Sequence, residues 1–254
     1  MGVRSPSYQA GFYAPERGGR PAYPGPWRGC VGAWNPGLGP SGLVLREWSG
    51  RKNHGTLTNG PVWSTSTGRH GIELDGVNDS ININRIQFDS AYSLSCYFLQ
   101  KAVVETRIIF GDSTDSGPFI GSLASATTIS YRGITGAVLG YTVPAMAANV
   151  LYHLTVTRSP ANLIRVFLNG AESSSGGQTQ ATPFSLNLLG SYFTPSLGLR
   201  GLLSDVLAHT RALSASEISL LARRPSIAYE LAARRFISLP PSSARLRRIL
   251  TGAT

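Results

Sequence analysis

The chain has 254 residues, with 23 Lys or Arg against 13 Asp or Glu, for a formal net charge of +10. That length fits one large β domain or two small ones and can bury a core without disulfides. Two cysteines, Cys30 and Cys96, exclude a disulfide-rich scaffold and a four-thiolate zinc site, and no apolar run approaches the ~18 residues of a membrane span, so no membrane partner is expected.

The opening MGVRSPSYQAGFYAPERGG carries no apolar segment of the kind a secretory leader needs, so export by the usual route is not expected. Residues 1–41 read as an extended arm. Pro stands at 6, 15, 21, 24, 26, 36 and 40 and blocks helix and central strand alike. Tyr8, Phe12, Tyr13, Tyr23, Trp27 and Trp34 are spaced between the prolines. Such aromatics either anchor in grooves on another surface or pack on the chain's own domain.

From residue 42 the text turns to strands and turns, favoured by 29 Gly and 16 Pro. GLVLREW (42–48) is a short apolar run and SGRKNHG (49–55) a turn cluster. IELDGVNDSINI (72–83) alternates apolar and polar as two strands around Gly76–Asp79. YSLSCYFLQ (92–100), VVETRIIFG (103–111), PFIGSL (118–123), TTISYRG (127–133) and AVLGYTV (137–143) follow. NVLYHLTVTRS (149–159) and NLIRVFLNGA (162–171) lead to an Asn169-Gly170 turn, the loop 173–180, FSLNLLGS (184–191) and GLRGLLSDVLAHT (198–210). A dozen short strands at 8–12-residue spacing predict an all-β, two-sheet antiparallel sandwich. Ser214-Ala-Ser-Glu217 is a capping box and starts a short C-terminal helix with Ile218, Leu220 and Leu221 as its apolar stripe. A second helix is expected at 226–236. Domain limits are therefore 1–41 (arm), 42–222 (sandwich) and 223–254 (Arg-rich arm).

Charge follows the same division. Residues 1–60 carry +5, residues 61–222 carry −1 and residues 223–254 carry +6. Basic arms engage nucleic acid, membranes or acidic protein surfaces. A neutral middle argues against a nucleic-acid face on the domain, so nucleic acid is not the expected partner.

Four stretches carry a family resemblance: EWSGRKNHGTLTNGPVW (47–63), IELDGVNDSINI (72–83), LYHLTVTRSPANLIRVFLNGA (151–171) and GLRGLLSDVLAHTRALSASEISLLA (198–222). Together they resemble the laminin-G-like, concanavalin-A-like jelly rolls, the last most specifically, since it joins a final strand to a capped helix. The resemblance implies a jelly-roll fold and, in some members, calcium and sugar binding through loop carboxylates. The chain departs from the pattern at Glu47 and Asn78, where the family has Asp, and at Asp205-Val206. Too few acidic ligands remain for a calcium site, and Asp79 is assigned to its turn.

Chemistry that the residues do not support narrows the function further. Glu73-Leu74-Asp75 begins like a glycoside hydrolase strand motif, but the second Glu is missing. His54, His70, His153 and His209 lack ligands at metal spacing, and no nucleophile elbow or phosphate loop is present. Neither enzyme activity nor a cofactor or metal is expected. Cys30 and Cys96 are expected as thiols. The first expectation is a structural virion protein, a bacteriophage capsid decoration or cement with an outward jelly roll. It would assemble as a homo-oligomer and grip the major capsid or other virion proteins, residing in the cytoplasm before assembly. The gripping contacts would be Arg4, Tyr8, Phe12, Tyr13, Arg17, Arg20, Tyr23, Trp27, Arg223, Arg224, Arg234, Arg235, Arg245, Arg247 and Arg248. The alternative is a carbohydrate-binding adhesin module with a glycan partner. There an exposed aromatic would form the sugar platform, with Tyr131, Tyr141, Tyr192 and Phe193 as candidates.

Overall fold

The computed structural model describes residues 27–39, 42–114 and 117–224. In chain order the first strands are β1 (Cys30–Trp34), β2 (Val44–Leu45), β3 (Gly55–Thr58), β4 (Val62–Ser64), β5 (Gly71–Asp75) and β6 (Ser80–Phe88). Next come β7 (Tyr92–Gln100), β8 (Arg107–Gly111), β9 (Phe119–Ser122), β10 (Thr128–Arg132), β11 (Leu139–Thr142) and β12 (Leu151–Arg158). The last are β13 (Leu163–Leu168), β14 (Ala171–Glu172), β15 (Gln178–Thr179), β16 (Phe184–Leu189) and β17 (Arg200–His209), followed by helix α1 (Ala215–Arg223).

These strands form two antiparallel sheets, packed as the expected jelly-roll sandwich. The first sheet runs β14-β13-β12-β7-β17-β5-β4, with β1 added to β17 and β15 to β13. The second runs β11-β10-β9-β8-β16-β6-β3-β2. Period-two alternation decides what faces inward. On β7, Tyr92, Leu94, Cys96 and Phe98 enter the core, where Ile81 and Ile83 of β6, Phe110 of β8, Phe184 and Leu186 of β16 and Val206 of β17 join them. Each such side chain contributes about 1.5–3 kcal/mol by leaving water.

The outer face of the first sheet is also largely covered. Helix α1 buries Ile218 and Leu221 against Phe167, Leu207 and Ala33, while Leu220 is exposed. Its start is the expected capping box. Ser214 Oγ accepts from Glu217 N, and the Glu217 carboxylate accepts from Ser214 N at 2.9 Å. Tyr97 Oη donates to the Leu221 and Ala222 carbonyls at 3.0 and 2.8 Å, fixing the helix end to β7.

The sandwich begins earlier than expected. Cys30–Trp34 pairs with β17 from Cys30↔His209 to Trp34↔Val206, so the limit at residue 41 falls inside the fold. The segment 30–34 holds no proline. Pro36 sits in a 3-10 turn, Pro36–Leu38, capped by Asn35, so the prolines border the strand without interrupting it. Trp34 is fully buried and Trp27 packs beside α1, so these two aromatics serve the chain's own domain. β3 and β4 were not expected either. VVETRIIFG narrows to Arg107–Gly111, and only Val44–Leu45 of GLVLREW is strand. The Asn169-Gly170 turn is formed as expected, with both residues at positive φ, 53° and 84°. The helix at 226–236 and both arm ends lie outside the described residues.

Candidate functional site

Ile108, Phe119 and Tyr192 form a small buried cluster beside the second sheet, which presents exposed polar side chains along β6. The pairing of β6 with β16 slips between Leu186↔Ile86 and Leu188↔Asn82. The surplus residues form a bulge that turns Asn84 and Arg85, two successive side chains, out to solvent. Gln87 follows on the same face, opposite Ser185 of β16.

A loop from residue 49 to 54 stands against this bulge. Asn53 Oδ1 accepts from Asn84 N at 2.7 Å and Asn53 Nδ2 donates to Asn84 O at 2.8 Å, a two-bond clasp on the β6 backbone. The Asn53 carbonyl accepts from Trp34 Nε1 at 2.8 Å. Glu47, only 6% exposed, ties the same loop to β1. Its Oε1 accepts from Ala33 N at 3.0 Å and from Ser49 N, and its Oε2 accepts from Lys52 N at 3.0 Å. Between loop and bulge lies an open cleft of about 410 Å³. The half-buried Val31 and Ile86 give it an apolar wall, and the exposed Arg51, Asn84, Arg85 and Gln87 give it a polar rim.

A buried carboxylate sets the position of Arg85. Asp112, just after β8, is fully buried. It accepts from Arg85 Nη2 at 2.8 Å, Ser185 Oγ at 2.7 Å, and the amide (2.8 Å) and hydroxyl of Thr114. Burial alone would raise its pKa. The bonds from Thr114 and Ser185 and the Arg85 charge outweigh that and hold the carboxyl below its usual range. Arg51 makes no ion pair among the described residues.

The proposed sugar platforms divide. Tyr131 and Tyr141 are fully buried, so neither can meet a ligand. Alternation along β10 and β11 points both inward, where Tyr131 accepts from Tyr92 Oη at 2.9 Å and Tyr141 Oη donates to Ile164 O at 3.2 Å. Tyr192 is 5% exposed and donates to Gly117 O at 2.9 Å, while Phe193 stays on the surface at 36%, edge-on to Tyr192 and outside the cleft. Of the expected gripping contacts, Trp27 packs by α1 and Arg223 and Arg224 end that helix. Arg4, Tyr8, Phe12, Tyr13, Arg17, Arg20, Tyr23, Arg234, Arg235, Arg245, Arg247 and Arg248 lie outside the described residues.

The remaining titratable candidates serve structure. Glu73 pairs with Lys101. Asp75 Oδ1 accepts from Val77 N at 2.8 Å, Asn78 N at 3.3 Å and Asp79 N at 3.4 Å, and Asp79 returns a bond to Asp75 N at 2.9 Å, the expected turn role. Burial raises Asp79, and the Asp75 charge adds to that, although the bond from Asp75 N acts against both. His153 is buried beside the Tyr97 ring with Nε2 2.8 Å from Ser95 Oγ. Among the described residues no three His, Cys, Asp or Glu side chains gather around a common point suited to a metal. Sequence reasoning passed over Arg51, Asn53, Asn84, Arg85, Gln87 and Asp112. The one available signal was the break of alternation at Asn84-Arg85.

With this geometry in hand, the comparisons place the chain. Residues 75–219, more than half of it, match the family Laminin_G_3, described as the concanavalin A-like lectin/glucanases superfamily. No curated protein matches. Trypanosoma rangeli sialidase in complex with 2,3-difluorosialic acid aligns with a TM-score of 0.62 at 16% identity, over 88% of this chain and 38% of that one. Domain 4 of AbnA, a GH43 extracellular arabinanase from Geobacillus stearothermophilus solved with arabinotriose, gives 0.56 at 16% identity over 76% of this chain and 98% of that one. The binding domain of Paraclostridial Mosquitocidal Protein 1 gives 0.53 at 14% identity over 77% and 52%. The chain spans about a third of the length of the sialidases it matches, and identities this low show shared fold alone. The family match is of a different kind, and by it the chain belongs to the concanavalin A-like lectin/glucanases superfamily, as a Laminin_G_3 member.

Proposed function

We propose that the chain is a non-catalytic carbohydrate-binding module and that its site is the cleft between the 49–54 loop and the β6 bulge. The observation that carries this reading is the make-up of the cleft. An apolar wall of Val31 and Ile86 suits the C–H face of a sugar ring, and the rim supplies amide and guanidinium groups for its hydroxyls. The parts beneath are already fixed by Asn53, Glu47 and Asp112, so little ordering is left for binding to bring about. Support comes from the family and from similar structures solved with carbohydrate ligands, the arabinotriose complex among them. These findings favour carbohydrate binding over capsid decoration, which they do not support. The non-catalytic part of the proposal rests on Glu73 and Asp75, whose carboxylates are engaged by Lys101 and by their own turn.

The test is calorimetric titration of the full chain with a panel of oligosaccharides, repeated on the double variant Asn84→Ala, Gln87→Ala. Neither side chain anchors the core. At about 0.5–1.5 kcal/mol per lost hydrogen bond, the pair is expected to weaken binding roughly tenfold with the melting temperature unchanged. A panel with no binder, or a double variant that binds as well as the parent, would refute the proposal.

A further inference from the structure

We infer that this cleft selects glycans that carry an anionic group, a carboxylate or a sulfate ester; the inference rests on the carbohydrate reading above and names its substrate class. Charge and fixed geometry favour an anionic ligand. Arg51 and Arg85 are the charged side chains lining the cleft, and no carboxylate lines it. The nearest acids are spent elsewhere. Asp112 is fully buried and held by Ser185 and Thr114 as well as Arg85. Glu47 is turned inward onto backbone amides. Asp89, beyond the rim, accepts from Gln87 Nε2 at 3.0 Å, which leaves Gln87 Oε1 free to accept from a sugar hydroxyl.

The two guanidiniums are held differently. Arg85 is fixed through Nη2 alone, and its other N–H groups make no hydrogen bond among the described residues. Its fork is therefore pre-set at the rim, with little rotamer freedom left to lose on binding. Arg51, exposed and without an ion pair among the described residues, supplies a second charge that can close on the same anion. A neutral sugar could use the amides and the apolar wall but would leave Arg51, which pairs with no acid among the described residues, without a counter-charge.

The test uses the full chain on an array of neutral, uronate-bearing, sialylated and sulfated oligosaccharides. The best neutral and best acidic ligands are then titrated at two salt concentrations. Acidic glycans are expected to bind at least tenfold tighter than neutral ones, with the margin shrinking as salt rises. Arg51→Gln should lower acidic affinity five- to tenfold, lower neutral affinity by no more than about twofold, and be partly restored by Arg51→Lys. Arg51 makes no ion pair among the described residues, and an unchanged melting temperature for Arg51→Gln shows that the fold is intact. Preference for carboxylated over sulfated ligands, or the reverse, identifies the anion and supports the inference either way. Equal affinity for neutral and acidic glycans overturns it while leaving the carbohydrate reading intact, as does an acidic preference indifferent to Arg51. Silence across the whole array overturns both.

Discussion

Glu47 shows how much one side chain can hold together. It stands where the family pattern has Asp, and its carboxylate gathers backbone amides from β1 and from the loop that walls the cleft. Charge-assisted bonds of this kind contribute about 1.5–3 kcal/mol each, and removal leaves buried N–H groups unpaired. Glu47→Ala is expected to lower stability by about 2–4 kcal/mol in urea unfolding and to loosen the cleft. The bonds to Ser49 and Lys52 are local, but the tie to Ala33 is not legible from spacing, because it spans 14 residues and forms with β1 in place. His153 gives a second expectation. Burial, aided by the Arg69 charge, pulls its pKa down to about 3. The unfolded chain then binds the extra proton, so stability is full above the ordinary His value near 6.5 and declines as pH falls toward 3. Between pH 7 and pH 5 the loss should be about 2 kcal/mol, and His153→Gln should flatten that part of the pH profile. An unchanged slope would show that His153 does not titrate across unfolding.

At the level of elements, the long strands were legible and the short ones were not. β7, β12, β13 and β17 are apolar-rich runs of six to ten residues. β3 and β4 have four and three residues, separated by Asn59-Gly60-Pro61, and draw their strand character from neighbours. The helix was legible because its signal is chemical as well as periodic. Glu217 meets Ser214 in the capping box and also takes Arg211 in a fork of 2.8 and 2.6 Å. Burial would raise Glu217, but the Arg211 and Ser214 contacts outweigh it and bring its pKa down to about 2. A depressed carboxyl stabilises the fold above its unfolded value near 4.3 and loses that contribution as pH drops toward 2. Ser214→Ala is expected to cost about 1 kcal/mol, and Glu217→Gln to remove the acid-sensitive part of helix docking, both seen by circular dichroism across pH 2–7. An acid transition that survives Glu217→Gln would place its cause elsewhere.

For the whole molecule, architecture was readable in advance and the cleft was not. The sandwich follows from strand spacing and turn chemistry, which are local. The cleft draws on Val31, Arg51, Asn53, Asn84, Arg85 and Gln87, with Asp112 and Ser185 behind them, and long-range pairing of β1 with β17 and of β6 with β3 and β16 brings these together. Seeking the site among exposed aromatics led instead to Tyr131 and Tyr141, because aromatic residues on half-buried strands are core residues first. Basic composition pointed toward the arms and away from the two arginines on the domain itself.

The most direct test of the central claim is a map of backbone amide shifts as the full chain is titrated with its best glycan. The perturbed amides are expected to cluster at residues 31, 51–53 and 84–87, saturating together at one affinity. Shifts centred elsewhere, such as around Glu73 and Lys101, or spectra unmoved by any glycan, would contradict it.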